Sequence, residues 1–413
     1  MKILIYSDCF IFGGSEKVIE NLLKSDALTN KFDLQFYYAY NKRYKKSIDK
    51  KFPNFTNIHS VAIASAFSKW GYESQLTNNK SPLQQLYLKL RYVCSLVFEK
   101  TSINNIYNYT QLLTLFKKER PDILYINNGG YPGAQSCRIA ALAASKAGIS
   151  NVVFNVNNLA SAQKNKFDIW LDRKVNTAVK VFVTASKAAK EKLIIERKFD
   201  ACKCVDIPNT LLKEEEVNSK LINGCLRNEF NVKHHEVVIG SAGLLTHRKG
   251  FNVLIDAIQL LKEINCQFKV FIFGEGEQRP FLQKMIAYYK LQQVIFLPGF
   301  RNNMQKYIID FDVLVCPSIA NEDFPYIILE AMLLRKPIIG TNIAGIPEQV
   351  LNNHNGYIIK PGSAQALAEA LKKFLFDKEK LKTMGLNSYN RYSNNFSNEL
   401  IIYQYNQLFN SLN

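Results

Sequence analysis

The sequence predicts an α/β protein of two domains, each built on a parallel β-sheet. The chain has 413 residues, which exceeds the length at which a single hydrophobic core usually stops growing. Short apolar runs alternate with longer helical patterns along most of it, as expected for β-α-β units. Its residues are 47% hydrophobic and 21% charged, which is ordinary for a globular protein. Together these observations favour two domains of ordinary size.

The strands fall into two series separated by a polar seam. The first series is predicted at residues 3–6, 122–126, 152–156 and 181–184. The second is predicted at residues 237–240, 268–273, 294–297, 313–316, 337–340 and 357–359. The charge-rich seam between residues 205 and 237 indicates a first domain over residues 1–207 and a second over 208–393. A last helix within residues 394–413 is expected to pack back on the first domain.

The excess positive charge belongs to the N-terminal half. Of a net charge of +18, residues 1–200 contribute most, with 30 Lys and Arg against 15 Asp and Glu. Residues 38–116 include the basic run from Lys42 to Lys51 and are interpreted as an insertion of helices and loops on the first domain. The asymmetry indicates an anionic partner, either nucleic acid or an anionic membrane surface. The alternative is that the lysines only reflect genome composition.

Two kinds of protein are disfavoured by composition. No stretch approaches the 18 or more apolar residues of a membrane span, and the apolar opening segment is interrupted by Asp8, too soon for a signal peptide. These features favour a cytoplasmic location. The eight cysteines do not occur at zinc-ligand spacings, so we expect no metal site.

The strongest chemical signal is a pair of glutamates eight residues apart, Glu322 and Glu330, after the predicted strand 313–316. If a helix begins near Phe324, its free N–H groups and positive dipole end face the crevice beyond the strand ends. One carboxylate could then accept hydroxyls of a sugar, and the other those of a ribose. An unrelated pair, one at a helix start and one on a solvated face, is the plainer alternative.

This segment, together with residues 336–348 and Asn355-Gly356, resembles the C-terminal signature of family 4 glycosyltransferases. The resemblance implies a GT-B fold, in which two Rossmann-like domains with parallel sheets face each other across a cleft. It also implies that Glu322 is catalytic and contacts the donor hexose, while Glu330 binds the ribose. Backbone at Phe324, Pro325 and Tyr326 would then meet the donor phosphates.

A second cluster, Arg248 and Lys249 followed by Gly250, comes after the predicted strand 237–240. Two adjacent cations suit a donor diphosphate, because the leaving nucleotide gains negative charge as the glycosidic bond breaks. Lys249-Gly250 matches the family, whereas Leu244 stands where many relatives have Arg. Without this context, an Arg-Lys pair would be read as solvated surface. Three more residues are predicted to shape the nucleotide pocket: Gly274, Phe300 and Arg301.

The N-terminal half offers fewer chemical signals. Gly14, between the first strand and a helix predicted over residues 17–23, could let the backbone approach the donor phosphates across the cleft. Asn127, Asn157 and Asn158 follow strands and could contact the acceptor or the transferred sugar, although Asn also simply favours turns. None of the five His residues lies where many retaining relatives place one, which puts in doubt a mechanism that needs His there.

The sequence therefore favours a retaining glycosyltransferase that uses a nucleoside diphosphate sugar, uridine-linked by family preference, without a metal or other cofactor. The acceptor would be a lipid-linked glycan or an oligosaccharide for a bacterial surface polysaccharide. The basic first domain would bind the inner face of the cytoplasmic membrane peripherally rather than nucleic acid. A sugar-nucleotide epimerase of the same fold remains an alternative, and a nucleic-acid-binding protein without enzymatic activity is a second one.

Overall fold

The computed structural model describes residues 1–9, 12–64, 81–100, 103–218, 224–264 and 267–413. These residues form two parallel sheets, one of seven strands and one of six. The strands of the first sheet are β1 (Lys2–Ser7), β2 (Asp33–Ala39), β3 (Ile58–Val61), β4 (Ile123–Asn128), β5 (Asn151–Val156), β6 (Val181–Thr184) and β7 (Cys204–Asp206). Those of the second are β8 (Val237–Ala242), β9 (Phe268–Phe273), β10 (Ile295–Gly299), β11 (Val313–Cys316), β12 (Ile338–Thr341) and β13 (Gly356–Ile359).

Helices connect the strands within each domain. Those of the first domain are α1 (Gly14–Leu23), α2 (Asp26–Thr29), α3 (Lys42–Lys51), α4 (Pro82–Lys100), α5 (Ile103–Glu119), α6 (Gln135–Ala147), α7 (Lys166–Ala178) and α8 (Lys187–Arg197). Between the sheets lie α9 (Lys213–Asn218) and α10 (Leu226–Glu229), and within the second domain α11 (Phe251–Leu260), α12 (Arg279–Tyr288), α13 (Gln305–Ile308), α14 (Tyr326–Leu333), α15 (Ile346–Gln349), α16 (Ala364–Leu375) and α17 (Lys378–Asn395). The last helix is α18 (Asn398–Asn410).

The strand order identifies both domains as doubly wound. It is β3-β2-β1-β4-β5-β6-β7 in the first sheet and β10-β9-β8-β11-β12-β13 in the second. In each sheet the first strand in sequence lies inside, so the direction of winding reverses beside β1 and beside β8. In open α/β sheets, ligands bind beyond the carboxyl ends of the strands at such a reversal. The fold thus predicts where a site should lie.

All ten predicted strands are present within a residue or two, but three others were missed. The interpretation of residues 38–116 as an insertion of helices and loops is wrong in part, because that stretch contains the end of β2 and all of β3. Residues His59 and Ser60 lie on β3 at the edge of the sheet, where burial does not require an apolar run. The third missed strand, β7, has only three residues and forms the opposite edge.

Two predicted helix starts also need correction. The helix after β11 begins at Tyr326 rather than near Phe324, with Pro325 in an extended conformation at its N-cap. A residue that precedes proline is disfavoured in the helical region, which keeps Phe324 outside the helix. The helix predicted at residues 17–23 begins earlier, at Gly14.

The last helix, α18, lies on the first domain. Its residues Ile401, Tyr405 and Phe409 are buried in the same cluster as Ile3 and Ile5 of β1. The preceding helix α17 instead contributes Tyr392 to the core of the second domain. The chain therefore passes from the first domain to the second after β7 and returns between α17 and α18.

Candidate functional site

A cavity of about 370 Å³ lies between the two domains, where strand ends of both sheets meet. Residues that follow β4 and β5 line it from one side, and residues that follow β8 and β11 from the other. Its lining consists of Gly14, Ser15, Gly129, Asn157, Asn158, Asn209, Ala242, Gly243, Leu244, Arg248, Lys249 and residues 322–327. The position agrees with the one expected from the strand order.

Three predicted residues meet in this cavity as one charged cluster. The Glu322 carboxylate accepts a hydrogen bond from Arg248 at 2.8 Å and lies 2.5 Å from the Lys249 ammonium. The side chains of Glu322 and Lys249 are mostly buried, while that of Arg248 is 37% exposed. Two cations therefore surround one carboxylate, which leaves a net positive charge facing the cavity.

Backbone geometry holds this cluster in place. Gly250 has a φ of +66°, and a Cβ there would lie 2.1 Å from the Pro317 carbonyl oxygen. Such close approach in a left-handed conformation requires glycine. The Arg248 carbonyl accepts a hydrogen bond from the Ile319 N–H at 2.8 Å. The loop that carries the cations is thus fixed to the loop that leads to Glu322.

Two helices from opposite domains begin at the cavity. The first residues of α1 line one side and those of α14 the other, and a Cβ on Gly14 would lie 3.7 Å from the Tyr326 ring. A helix N-terminus carries unpaired N–H groups and a partial positive charge. Together with Arg248 and Lys249, these two helix ends make the cavity suitable for an anion.

Glu330 does not line this cavity, although the sequence analysis expected it in the same pocket as Glu322. One helical turn beyond Tyr326, its carboxylate pairs with Lys17 of the first domain at 3.1 Å. Burial raises the pKa of Glu330 and Lys17 lowers it, while the nearby Glu215 raises it. Of the four charged residues predicted to share one pocket, three line the cavity. Glu330 instead forms a contact between the domains one helical turn away.

The predicted nucleotide residues Gly274, Phe300 and Arg301 are not among those that line the cavity. Gly274 supports the cavity wall instead, since a Cβ there would lie 1.9 Å from the Gly243 carbonyl oxygen. Phe300 is largely exposed. The Arg301 guanidinium donates to Glu229 at 2.7 Å. Direct nucleotide contact by these three residues stays a prediction.

Of the three predicted asparagines, two line the cavity and the third supports one of them. Asn157 and Asn158 line the cavity, whereas Asn127 is fully buried behind it. The side-chain oxygen Oδ1 of Asn127 accepts from the Asn157 side chain at 2.8 Å and from the Asn155 side chain at 3.0 Å. Asn127 therefore orients Asn157 from behind the cavity wall, and its direct contact with the sugar or acceptor stays a prediction.

The sequence analysis missed several polar groups that shape the site. Glu16 is buried next to the lining residue Ser15 and accepts a hydrogen bond from Ser7 at 2.8 Å. Asn209, in the segment between the sheets, donates to the Phe324 carbonyl at 3.1 Å. The buried Asp323 accepts from Ser186 of the first domain. Glu16 and Asp323 carried a signal, because they stand close to the predicted residues Gly14 and Glu322, whereas Asn209 did not.

Metal ligation and membrane spanning find no support in the described part of the chain. Within it, no group of three or more His, Cys, Asp or Glu side chains could hold a metal ion. None of its helices combines the length and the apolar character needed to cross a bilayer. No histidine lies among the residues that line the cavity.

Residues 226–391 match the family described as Glycosyl transferases group 1. The amylovoran biosynthesis glycosyltransferase AmsK of Erwinia amylovora is 32% identical over 155 residues, which are 35% of this chain and 38% of AmsK. The capsular polysaccharide biosynthesis glycosyltransferase CapM of Staphylococcus aureus is 23% identical over 359 residues, 81% of this chain and 89% of CapM. The chain spans little more than a third of the first curated relatives it matches.

Solved structures share the architecture of the whole chain. HepE of Anabaena, crystallised with UDP, superimposes with a TM-score of 0.75 at 19% identity, and all of both chains is covered. A TarM variant of S. aureus, crystallised with UDP among other ligands, gives a TM-score of 0.66 at 15% identity over 99% of both chains. These likenesses confirm the predicted GT-B fold.

Proposed function

We propose that this chain is a retaining glycosyltransferase that moves a hexose or N-acetylhexosamine from a nucleoside diphosphate sugar, with UDP as the nucleotide. The observation that carries the proposal is the cluster of Glu322, Arg248 and Lys249 in the cavity between the domains. The family match and the UDP-bound structures of the same fold support it. The acceptor would be a lipid-linked glycan or an oligosaccharide in surface polysaccharide assembly, in line with the capsular polysaccharide biosynthesis named for CapM.

The donor diphosphate would bind against Arg248 and Lys249. Both cations pair with Glu322 in the structure, and a diphosphate carries more negative charge than one carboxylate, so it competes for them. The first N–H groups of α14 would add hydrogen bonds to the β-phosphate. These groups stabilise the negative charge that grows on the leaving nucleotide as the glycosidic bond breaks, without a metal ion.

Release from the two cations would leave Glu322 free to accept hydroxyl groups of the transferred sugar. The carboxylate lies in the same cavity as the phosphate-binding groups, so the sugar attached to the phosphate comes within its reach. Asn157 and Asn158, on the opposite wall, would offer neutral hydrogen bonds to the sugar or to the acceptor. Glu330 would accept the ribose hydroxyls from its position beside the cavity.

Substitution of Glu322 by Gln tests the central assignment. The amide keeps the size of the side chain but loses the charge that accepts two hydroxyls and balances the cations. Transfer from UDP-sugar to an added glycan acceptor should fall at least about 100-fold, with the fold retained as judged by circular dichroism. Glu277→Gln, at an exposed position, is the matched control. Wild-type turnover by the Glu322 variant would remove this residue from the site.

Removal of the two cations tests the phosphate site separately. The double variant Arg248→Ala, Lys249→Ala should bind UDP at least about tenfold more weakly in calorimetry, since each charged hydrogen bond contributes roughly 1.5–3 kcal/mol. Lys284→Ala, at an exposed position of α12, serves as the control. Unchanged affinity would show that the phosphates bind elsewhere.

The epimerase alternative predicts a different product. An epimerase would consume a sugar nucleotide without an added acceptor and release an isomeric sugar nucleotide. The glycosyltransferase should consume it in proportion to the acceptor and release free UDP. The named relatives are glycosyltransferases, which disfavours the epimerase. Product analysis with and without acceptor decides between the two reactions.

We also propose a cytoplasmic location, with the first domain docked on the inner face of the membrane. Helix α3 supports the proposal because it buries Tyr44 and Ile48 and exposes Lys42, Lys45, Lys46 and Lys50. Helix α4 exposes an apolar row at helical spacing, Leu83, Leu86, Tyr87 and Leu90, each more than half exposed. Basic and apolar side chains together are what an anionic lipid surface attracts.

Sedimentation with liposomes tests this docking. Replacement of Lys42, Lys45, Lys46 and Lys50 by Gln should weaken binding to vesicles that contain anionic lipid, by about 1 kcal/mol for each charge near the surface. Lys372 and Lys373, exposed on α16 of the second domain, provide the control substitutions. Equal sedimentation of the wild type with neutral vesicles would contradict electrostatic docking.

A further inference from the structure

Lys17 lies where α1 of the first domain meets α14 of the second. Its ammonium lies 3.1 Å from a carboxylate oxygen of Glu330 and 3.5 Å from one of Glu215. It also lies 4.9 Å from the centre of the Tyr326 ring. Tyr326 and Glu330 are four residues apart and so share one face of α14. A single lysine of the first domain thus contacts the helix that begins at the donor cavity.

Lys17 stabilises the charged form of Glu330. Burial raises the pKa of Glu330, Lys17 lowers it, and the like charge of Glu215 raises it. On the side of the lysine, the facing charges are Glu330, Glu215 and Glu20, which together outweigh its own burial and raise the Lys17 pKa. Without Lys17, burial and the like charge of Glu215 would act on Glu330 unopposed, and both favour its protonated form.

We propose that Lys17 is a positioning residue for the nucleotide: from the opposite domain it keeps Glu330 ionised and oriented for the ribose diol. The inference rests on the proposed function, in which Glu330 accepts the ribose hydroxyls. Lys17 occupies one oxygen of the carboxylate, Oε1. The other oxygen is the one that would face the nucleotide. Nucleotide binding would therefore depend on contact between the domains, because the lysine and the glutamate belong to different ones.

The chemistry of the diol gives the direction of the effect. The Glu330 oxygen that Lys17 leaves free can accept both ribose hydroxyls while the carboxylate is ionised, whereas protonation of that oxygen turns it into a donor and reduces what it can accept. Loss of Lys17 should therefore remove roughly one hydrogen bond to the ribose, which corresponds to about a tenfold loss of affinity. A higher pH should restore the ionised form and with it the affinity.

The experiment measures UDP affinity by calorimetry for the wild type and for Lys17→Met, at about pH 7 and about pH 9. At each pH, the affinity of the wild type is divided by that of the variant. The titration of UDP itself is common to both and cancels in this ratio. The ratio should reach up to about ten and be larger at the lower pH than at the higher pH. Lys17→Arg should restore wild-type behaviour at both. In steady-state kinetics, the variant should raise the KM for the donor and leave kcat nearly unchanged.

Two controls separate positioning from general stabilisation. Lys24→Met removes a lysine at the C-cap of the same helix, which is equally exposed and pairs with Glu20 and Glu214. Its affinity for UDP should match that of the wild type. In a Glu330→Gln background, which cannot ionise, Lys17→Met should cause no further loss. That second comparison remains informative if Lys17→Met alone is poorly folded.

The possible failures are distinguishable. A wild type that binds no UDP at either pH would overturn the proposed function itself. A wild type that binds UDP, with a Lys17→Met ratio of one throughout, would overturn the role of Lys17 and leave the function standing. Lys17→Met could instead lose the same UDP affinity at both pH values. If that loss also occurs in Lys17→Arg, or when Lys17→Met is added to Glu330→Gln, Lys17 only stabilises the fold.

Discussion

Substitution of Asp323 by Asn should remove a pH dependence of stability that originates at the contact between the domains. Asp323 is 3% exposed and accepts a hydrogen bond from Ser186 of the first domain. Its second oxygen, Oδ2, has no partner among the described residues. Burial raises the pKa of Asp323, the bond from Ser186 lowers it, and Glu348 and Glu322 raise it, which together bring it from 3.8 to about 7.

The sign and size of the effect follow from linkage. Between pH 3.8 and about pH 7 the folded protein holds a proton on Asp323 that the unfolded chain has released, so stability falls as the pH rises. The raised pKa of Asp323 then costs about 2 kcal/mol of stability at pH 5 and about 4 kcal/mol at pH 8. The difference of about 2–3 kcal/mol corresponds to about 3 °C in melting temperature for a chain of this length.

Thermal unfolding of the wild type and Asp323→Asn at pH 5 and pH 8 measures this difference. The melting temperature of the variant relative to the wild type should rise by about 3 °C from the lower to the higher pH. Any pH-independent effect of the lost charge on the melting temperature cancels when the two pH values are compared. Glu277→Gln, at an exposed position, should show the same offset at both pH values. An Asp323→Asn offset that stays constant or shrinks as the pH rises would refute the reasoning.

Two further substitutions test the fold around the site. Gly250→Ala should abolish measurable UDP binding, because its Cβ would lie 2.1 Å from a backbone oxygen. The control Gly362→Ala has a similar φ of +75° and no atom within 4 Å, so it should cost only about 1–2 kcal/mol in stability. Equal effects of the two substitutions would contradict the packing argument. Phe409→Ala should destabilise the protein by about 3–5 kcal/mol in chemical unfolding, since this ring is fully buried against Tyr125 and Phe32. Tyr403 is exposed, so Tyr403→Ala should have little effect. Comparable losses of stability in the two variants would contradict the packing of α18.

How much of this structure the sequence could predict depended on burial. The strand Val313–Cys316 is buried throughout, which requires an uninterrupted apolar run and made it predictable to the residue. The edge strand Ile58–Val61 is only partly covered and needs no such run. The start of α14 was misplaced because the restriction that Pro325 imposes on Phe324 was not applied, although the proline was visible.

The candidate site was likewise predictable only in part. Arg248 and Lys249 lie next to each other in sequence, and Glu322 stands at a strand end, so their convergence could be expected from the order of β8 and β11. The pairing of Lys17 with Glu330 joins residues 313 positions apart. No local pattern encodes it, because it depends on how the two domains are placed against each other.

The return of the chain to the first domain governs how this protein can be made and divided. Ile401, Ile402, Tyr405 and Phe409 complete the same core as β1, yet in the chain they follow the whole second domain. The first domain therefore cannot finish folding during synthesis until the second domain has emerged. A fragment cut after residue 207 would expose apolar surface that α18 covers, and supplying α18 as a separate peptide should rescue it.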